Sequence, residues 1–224
     1  MAIIAKDKGN GEGFEPVPAG THIARCISVV DIGPQDTPWG AKEKVYIGFE
    51  VPGVNVEWKD KEGNEHSGPA MIGKTYTNSL NEKSWLGQHL ESWRGKPFTE
   101  AERNGFDLMN ILGAPCMISV THEESKNGKT YAAIKAIMKL PAGTTCPDSS
   151  TDLLAYSPND PELIGNFEKL PAWLQERARA GYGPAADSLG ADTGSQETPD
   201  NGPPTPPVES YSDEAGFEDD IPFS

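Results

Sequence analysis

The chain is poor in cysteine and has no long apolar run. Its three cysteines form no CxxC pair and its four histidines are scattered, so neither a disulfide framework nor a zinc site is indicated. No stretch of about 18 apolar residues offers a transmembrane helix, and the N-terminus lacks the apolar region and cleavage site of a secretory signal. We therefore expect a soluble, cytoplasmic protein without a metal or other cofactor.

The last part of the chain lacks positive charge. Beyond Ala180 there are ten acidic residues and no lysine or arginine, whereas residues 1–144 carry 16 basic and 18 acidic residues. A net charge of −15 normally argues against a nucleic-acid partner, but here most of it lies in the tail. The body is nearly neutral, which leaves nucleic-acid binding open and disfavours a DNA mimic, since a mimic needs acids arrayed on its folded surface.

Large aliphatic residues are nearly missing from residues 181–212, which are rich in glycine, proline, serine and aspartate. Such a segment cannot bury enough apolar surface to offset the entropy lost on ordering. Just before it, a helical pattern with Pro171 in its first turn ends at Gly181. We predict four parts: a folded domain over 1–144, an extension with an amphipathic helix over 145–181, a disordered linker over 182–215 and an acidic tip over 216–224.

Segments of β-branched and alternating residues, separated by turn signals, predict a mainly β domain. Strands are predicted over 21–33, 44–51, 70–80, 116–123 and 130–138, with a projecting hairpin over 54–66. A helix over 81–95, expected to bury Trp85 and Trp93, and a short helix capped by Thr99 and Glu102 lie between strands 3 and 4. This order is that of an OB-fold-like five-stranded Greek-key barrel with a helical segment between strands 3 and 4.

Aromatic and basic side chains alternate on the predicted strands and their loops. A single strand of nucleic acid is held by aromatic rings that stack on bases and by cations that follow the phosphates. Two Lys-x-Tyr pairs are expected on one face of the sheet: Lys44 with Tyr46, and Lys74 with Tyr76. The loops that flank the binding face of an OB-fold add Trp39, Lys42, Lys126, Lys129 and Tyr131. Ordinary solvent-facing sheet is the alternative interpretation of these residues.

The chain ends in GFEDDIPFS, residues 216–224, where acids are joined to large apolar groups at an exposed end. This stretch resembles the acidic tip of bacterial single-stranded DNA-binding proteins, and the upstream order of elements is similar to that of phage-encoded proteins of this class. In that family the tip recruits replication and repair enzymes. Ser224 departs from the pattern, because the family usually ends on the phenylalanine. The resemblance implies that the recruiting residues are Asp219, Asp220, Ile221, Pro222 and Phe223.

These features predict a protein that binds and protects single-stranded DNA without sequence preference during phage replication or recombination in the host cytoplasm, and that is not an enzyme. One alternative is an adaptor or decoy that binds host replication proteins through the tail without binding DNA. Another is a metal-dependent nuclease that uses acids such as Asp31, Glu50 or Asp107, although no HExxH, GxSxG or glycine-rich phosphate loop supports it. Homo-oligomerisation and a preference for DNA over RNA stay open.

Overall fold

The computed structural model describes residues 16–59, 64–125 and 128–186. The strands are β1 (Gly20–Gln35), β2 (Lys42–Lys59), β3 (Glu65–Thr77), β4 (Pro115–Glu124), β5 (Thr130–Met138) and β6 (Leu154–Tyr156). The α-helices are α1 (Trp85–Arg94), α2 (Glu100–Arg103) and α3 (Ala172–Tyr182), and 3₁₀ turns cover Leu108–Ile111, Ile164–Lys169 and Gly183–Ala186. None of these helices is long and apolar enough to cross a membrane.

Five antiparallel strands form one curled sheet, a half-barrel with the strand order β3-β2-β1-β4-β5. Strand β1 is shared: Gly20–Arg25 pairs with β4, and the pairing with β2 extends from Arg25 to Gln35. Two register shifts in the β1–β2 pairing mark irregularities of the kind that bend a strand. Beyond the end of β4, the short β6 pairs in parallel with β1. The prediction of a mainly β domain is therefore confirmed.

The local signals of the sequence correspond to the observed elements. Strands β2 and β3 pair as far as Lys59 and Glu65, so the predicted projecting hairpin is the far end of two long strands. Helix α1 begins after Ser84, whose hydroxyl accepts a hydrogen bond from Gly87 N, and ends at Gly95 with a φ of 72°. Helix α2 carries the capping box that its sequence predicts.

The main core lies inside the curl of the sheet, where α1 packs against β3 and β5. The alternation predicted over 44–51 is confirmed, since the four apolar positions of its inner face are buried: Val45, Ile47, Phe49 and Val51. On α1 the buried stripe contains Leu86, Leu90 and Trp93. Trp85 is 55% exposed, so its predicted burial is wrong. It stands one residue before Leu86, about 100° around the helix from that stripe.

A second core joins the C-terminal extension to the outer face of β1. Val30 and Ile32 pack there against residues of β6, α3 and the 3₁₀ turns. The Tyr182 ring lies against Gly33, where an added Cβ would be 2.6 Å from it, and Tyr156 donates a hydrogen bond to the carbonyl of Ala186. The packed part of the chain therefore continues to Ala186, past the predicted linker start at 182, and residues 187–215 lie outside the described residues.

Glu50 holds one end of this extension to the outer face of β2. This glutamate is only 1% exposed, and its carboxylate accepts hydrogen bonds from the backbone N–H groups of Ser150 and Thr151 and from the hydroxyls of Ser149 and Ser150, at 3.0–3.1 Å. Burial opposes ionisation, but these hydrogen bonds prevail and hold the pKa of Glu50 below its usual value. The segment therefore docks on an ionised carboxylate.

We expect Glu50→Gln to lower the free energy of unfolding by about 1 to 3 kcal/mol at neutral pH, because an amide loses the charge and turns a donor toward these donors. The pKa of Glu50 is lower in the folded state, so its stabilisation is present above the unfolded pKa and is lost as pH falls through the folded one. Urea denaturation across pH measures this difference, with Glu57→Gln, an exposed glutamate on the same strand, as the control. Equal stability of Glu50→Gln and the unmodified protein at neutral pH would contradict the anchor.

Candidate nucleic-acid interface

Trp39 projects from the loop between β1 and β2. Its side chain is 77% exposed, although the turn that carries it is well defined. Thr37 and Gly40 exchange backbone hydrogen bonds of 3.2 and 2.9 Å, and the Thr37 hydroxyl donates a further bond of 2.7 Å to the Gly40 carbonyl. Gly40 has a φ of 98°, which favours glycine. The loop therefore presents an indole ring to solvent.

The outer face of β2 continues from this loop. Lys42 is exposed and Lys44 is half-buried, with its Nζ donating a 3.2 Å hydrogen bond to the hydroxyl of Thr77 on β3. Tyr46 lies next along this face, over Gly73, where an added Cβ would be 2.0 Å from the tyrosine hydroxyl oxygen. Burial raises the pKa of Tyr46 to about 12, so the hydroxyl stays protonated at neutral pH. Lys44 and Tyr46 therefore share a face, as predicted.

Trp173 of α3 completes this face. Its ring meets that of Tyr46 edge to face, with centroids 5.0 Å apart and an interplanar angle of 85°, and its side chain is 45% exposed. The C-terminal extension thus supplies an aromatic group that the sequence did not identify. Trp39, Lys42, Lys44, Tyr46 and Trp173 are called the β2 surface below.

Tyr76 is not part of this surface. In the register of β2 and β3 it lies directly opposite Val45, and Lys74 lies opposite Ile47. Directly opposed residues share a face of the sheet, so Lys74 and Tyr76 lie on the face opposite Tyr46. Tyr76 is 2% exposed, and its hydroxyl donates a 2.9 Å hydrogen bond to His89 Nδ1. The prediction of one shared face is wrong, because spacing within a strand does not determine its register with the next strand.

His89 connects this buried tyrosine to β5. Its Nε2 donates a 3.1 Å hydrogen bond to the carbonyl of Lys135, which leaves Nδ1 to accept from Tyr76. Burial and the positive charge of Lys74 lower the pKa of His89 to about 4, so the imidazole is neutral at neutral pH. The pair has a structural role on the inner side of the sheet.

Lys74 bridges β3 and β5. Its Nζ donates a 2.9 Å hydrogen bond to the carbonyl of Ile134 and lies 5.0 Å from the centroid of the Trp85 ring and 5.7 Å from that of Tyr76. The lysine is half-buried. It therefore lies at the seam between the two end strands of the half-barrel and beside an exposed tryptophan.

The hairpin between β4 and β5 carries the other predicted residues. Lys129 is exposed, and Tyr131 is exposed with its hydroxyl donating a 2.7 Å hydrogen bond to Glu123 directly opposite. Glu123 also forms an ion pair with Lys135. Lys126 lies outside the described residues. The group formed by Lys74, Trp85, Glu123, Tyr131 and Lys135 is called the seam cluster below.

Both tryptophans that the sequence analysis misjudged or missed share one local signal. Trp85 directly precedes the buried Leu86, and Trp173 directly precedes the buried Leu174. In each helix the tryptophan stands one residue away from the apolar stripe, and a helical projection of each segment would place it at the edge of that stripe. Exposure itself depends on packing, which the projection does not contain.

The three acids of the nuclease alternative have structural partners. Asp31 accepts hydrogen bonds from Gly33 N and the Ser157 hydroxyl, and Asp107 caps a 3₁₀ turn by accepting one from Met109 N. Glu50 is the anchor described above. Across residues 16–59, 64–125 and 128–186, no group of three or more His, Cys, Asp or Glu side chains is placed to hold a metal ion.

The tip residues that the resemblance implies, from Asp219 to Phe223, lie outside the described residues, and their role in partner binding stays a prediction. No protein-family model and no curated protein matches the chain. The β2 surface, the seam cluster and the residue pattern of the tip are therefore the features of this chain that bear on its function.

Proposed function

We propose that the chain is a single-stranded DNA-binding protein whose body is an OB-fold-like barrel. The strand order, the bent and shared β1, and the position of α1 between β3 and β4 support this assignment. The hydrogen bond from Lys74 to the carbonyl of Ile134 joins β3 to β5, the two strands between which such a barrel closes. In OB-folds, nucleic acid binds across strands 2 and 3 and the neighbouring loops.

The exposed indole of Trp39 is the observation that carries the proposal. A ring that is 77% exposed on a hydrogen-bonded turn contributes little to the core, whereas a base stacked on an aromatic ring contributes about 1 to 3 kcal/mol. Lys42 and Lys44 follow within a few residues and supply cations for phosphates. Trp173, which is 45% exposed and packs on the largely buried Tyr46, extends the aromatic surface. Stacking on such rings is tolerant of sequence, because every base has a π-face.

In this proposal the two ends of the chain have separate tasks. The body covers and protects single strands during DNA replication or recombination, and the acidic tip recruits replication proteins. The ten acids beyond residue 180 are far in sequence from Lys42 and Lys44. They are therefore not fixed beside the positive charges of the β2 surface. A phage-encoded protein of this kind acts in the cytoplasm of the host.

We expect Trp39→Ala to weaken binding of labelled oligo-dT about 5- to 150-fold, the loss that corresponds to one stacked base. Trp39→Phe should retain most of the affinity because it keeps an aromatic face. Fluorescence anisotropy over a range of salt measures both affinity and salt dependence. Lys42→Ala and Lys44→Ala should each reduce the log-log salt slope by about 0.7, with the exposed Lys96→Ala as the matched control.

Competition of duplex DNA and of RNA with labelled oligo-dT shows which kind of nucleic acid the protein prefers. An unmodified protein that binds no oligo-dT but captures replication proteins through its tip would support the adaptor or decoy instead. Degradation of the oligonucleotide that depends on Mg²⁺ would support the nuclease. If Trp39→Ala binds oligo-dT as tightly as the unmodified protein, the β2 surface is not where the strand binds.

A further inference from the structure

The seam cluster brings side chains of different strands and a helix to one place. Lys74 comes from β3, Trp85 from the first turn of α1, and Tyr131 and Lys135 from β5. Contacts between these elements hold the cluster: Lys74 Nζ reaches both the Ile134 carbonyl and the Trp85 ring, and the Lys135 carbonyl accepts from His89 of α1. These contacts fix Lys74 and Trp85 relative to each other and the backbone of β5 relative to α1.

Positive charge in the cluster exceeds negative charge. Lys74 and Lys135 interact unfavourably with each other, and burial together with the charge of Lys135 lowers the pKa of Lys74. The carboxylate of Glu123 is shared between the Lys135 ammonium and the Tyr131 hydroxyl. A bound anion would relieve the repulsion between the two ammonium groups and replace water lost by Lys74.

Trp85 offers a flat apolar surface beside these cations. Its ring is 55% exposed, yet its orientation is supported by the Lys74 ammonium and by His89, whose ring meets it edge to face with centroids 5.5 Å apart. A ring already held in place loses little conformational entropy when a ligand stacks on it. A nucleotide combines an anion and a flat aromatic group in this way, since its sugar joins the phosphate to the base.

We propose that the seam cluster binds one nucleotide of a single strand, with its base stacked on Trp85 and its phosphate between Lys74 and Lys135. This inference rests on the proposed function and adds a position to the binding path. Trp85 and Lys135 are its new elements. Lys129, in the turn before β5, is two residues from Tyr131 of the cluster along the chain.

Base contacts and phosphate contacts can be tested separately. The affinity of each variant is measured for oligo-dT and for a strand without bases. Trp85→Ala should weaken binding of oligo-dT about 5- to 150-fold and hardly change binding of an abasic deoxyribose-phosphate strand of the same length. Lys135→Gln should weaken binding of both strands and reduce the salt slope by about 0.7. Glu123→Gln should tighten binding of both at low salt, because it removes an acid that competes with the phosphate for Lys135.

Lys139→Gln is the matched control, an exposed lysine next to Gly95 at the other end of α1. Circular dichroism on heating tests the fold of each variant. If Trp85→Ala does not fold, the affinities of Trp85→Phe, Lys135→Gln and Glu123→Gln test the nucleotide site instead. Inorganic phosphate that competes as well as the strands do, with no effect of Trp85→Ala, would overturn the nucleotide site in favour of a simple anion site.

The failure of this inference is distinguishable from failure of the proposed function. If the unmodified protein binds oligo-dT and Trp39→Ala weakens it, while Trp85→Ala and Lys135→Gln match the unmodified protein, only the seam site is overturned. If the unmodified protein does not bind oligo-dT, both proposals fall.

Discussion

Phe223→Ala should abolish capture of replication proteins by this chain and leave its affinity for oligo-dT nearly unchanged. In the proposed role the phenylalanine ring enters an apolar pocket of the partner, and Asp219 and Asp220 meet the basic rim of that pocket. The substitution removes the apolar anchor and keeps every acid. Residues 187–215 have the composition of a flexible linker, so the two binding events should be nearly independent.

The measurement is a pull-down of purified replication proteins on the immobilised chain, alongside an oligo-dT titration of the same variants. Phe217→Ala is the matched control, because it removes an equal ring six residues earlier in the tail. Deleting Ser224 tests whether recognition needs a carboxylate on the phenylalanine; stronger partner binding would mean that it does. Full partner retention by Phe223→Ala would return the tail to a solubilising role.

Tyr76→Ala should lower the free energy of unfolding by about 3 to 5 kcal/mol, the loss typical of truncating a large buried aromatic residue. The ring of Tyr76 is 2% exposed in the main core and packs near His89, so its removal leaves a cavity and an unpartnered imidazole nitrogen. Urea denaturation measures the change, with Ser67→Ala, an exposed serine on the same strand, as the control. We expect the control to stay within about 0.5 kcal/mol of the unmodified protein.

Tyr76→Phe separates structure from DNA contact. It keeps the ring and removes only the hydrogen bond to His89, so we expect a loss of about 1 to 3 kcal/mol in stability and unchanged affinity for oligo-dT. Weaker binding of oligo-dT by Tyr76→Phe at full stability would mean that this hydroxyl is accessible to the strand and that its assignment to the core is incorrect.

The amino-acid sequence by itself determined the five long strands, the α-helices and the segregation of charge. The alternation of β2 identified its buried face, Gly95 and the Thr99 capping box identified helix boundaries, and the turn signals separated the strands. These features depend on neighbours within one element, and local periodicity and capping are sufficient to specify them.

Only the tertiary structure decided which faces meet. The register of β2 and β3 placed Tyr76 opposite Val45 and in the core, and the docking of the extension buried Glu50 and brought Trp173 to Tyr46. Packing of α1 left Trp85 exposed beside Lys74. The physical reason is that strand register and helix docking depend on contacts between residues far apart in the chain, whereas periodicity describes one element at a time.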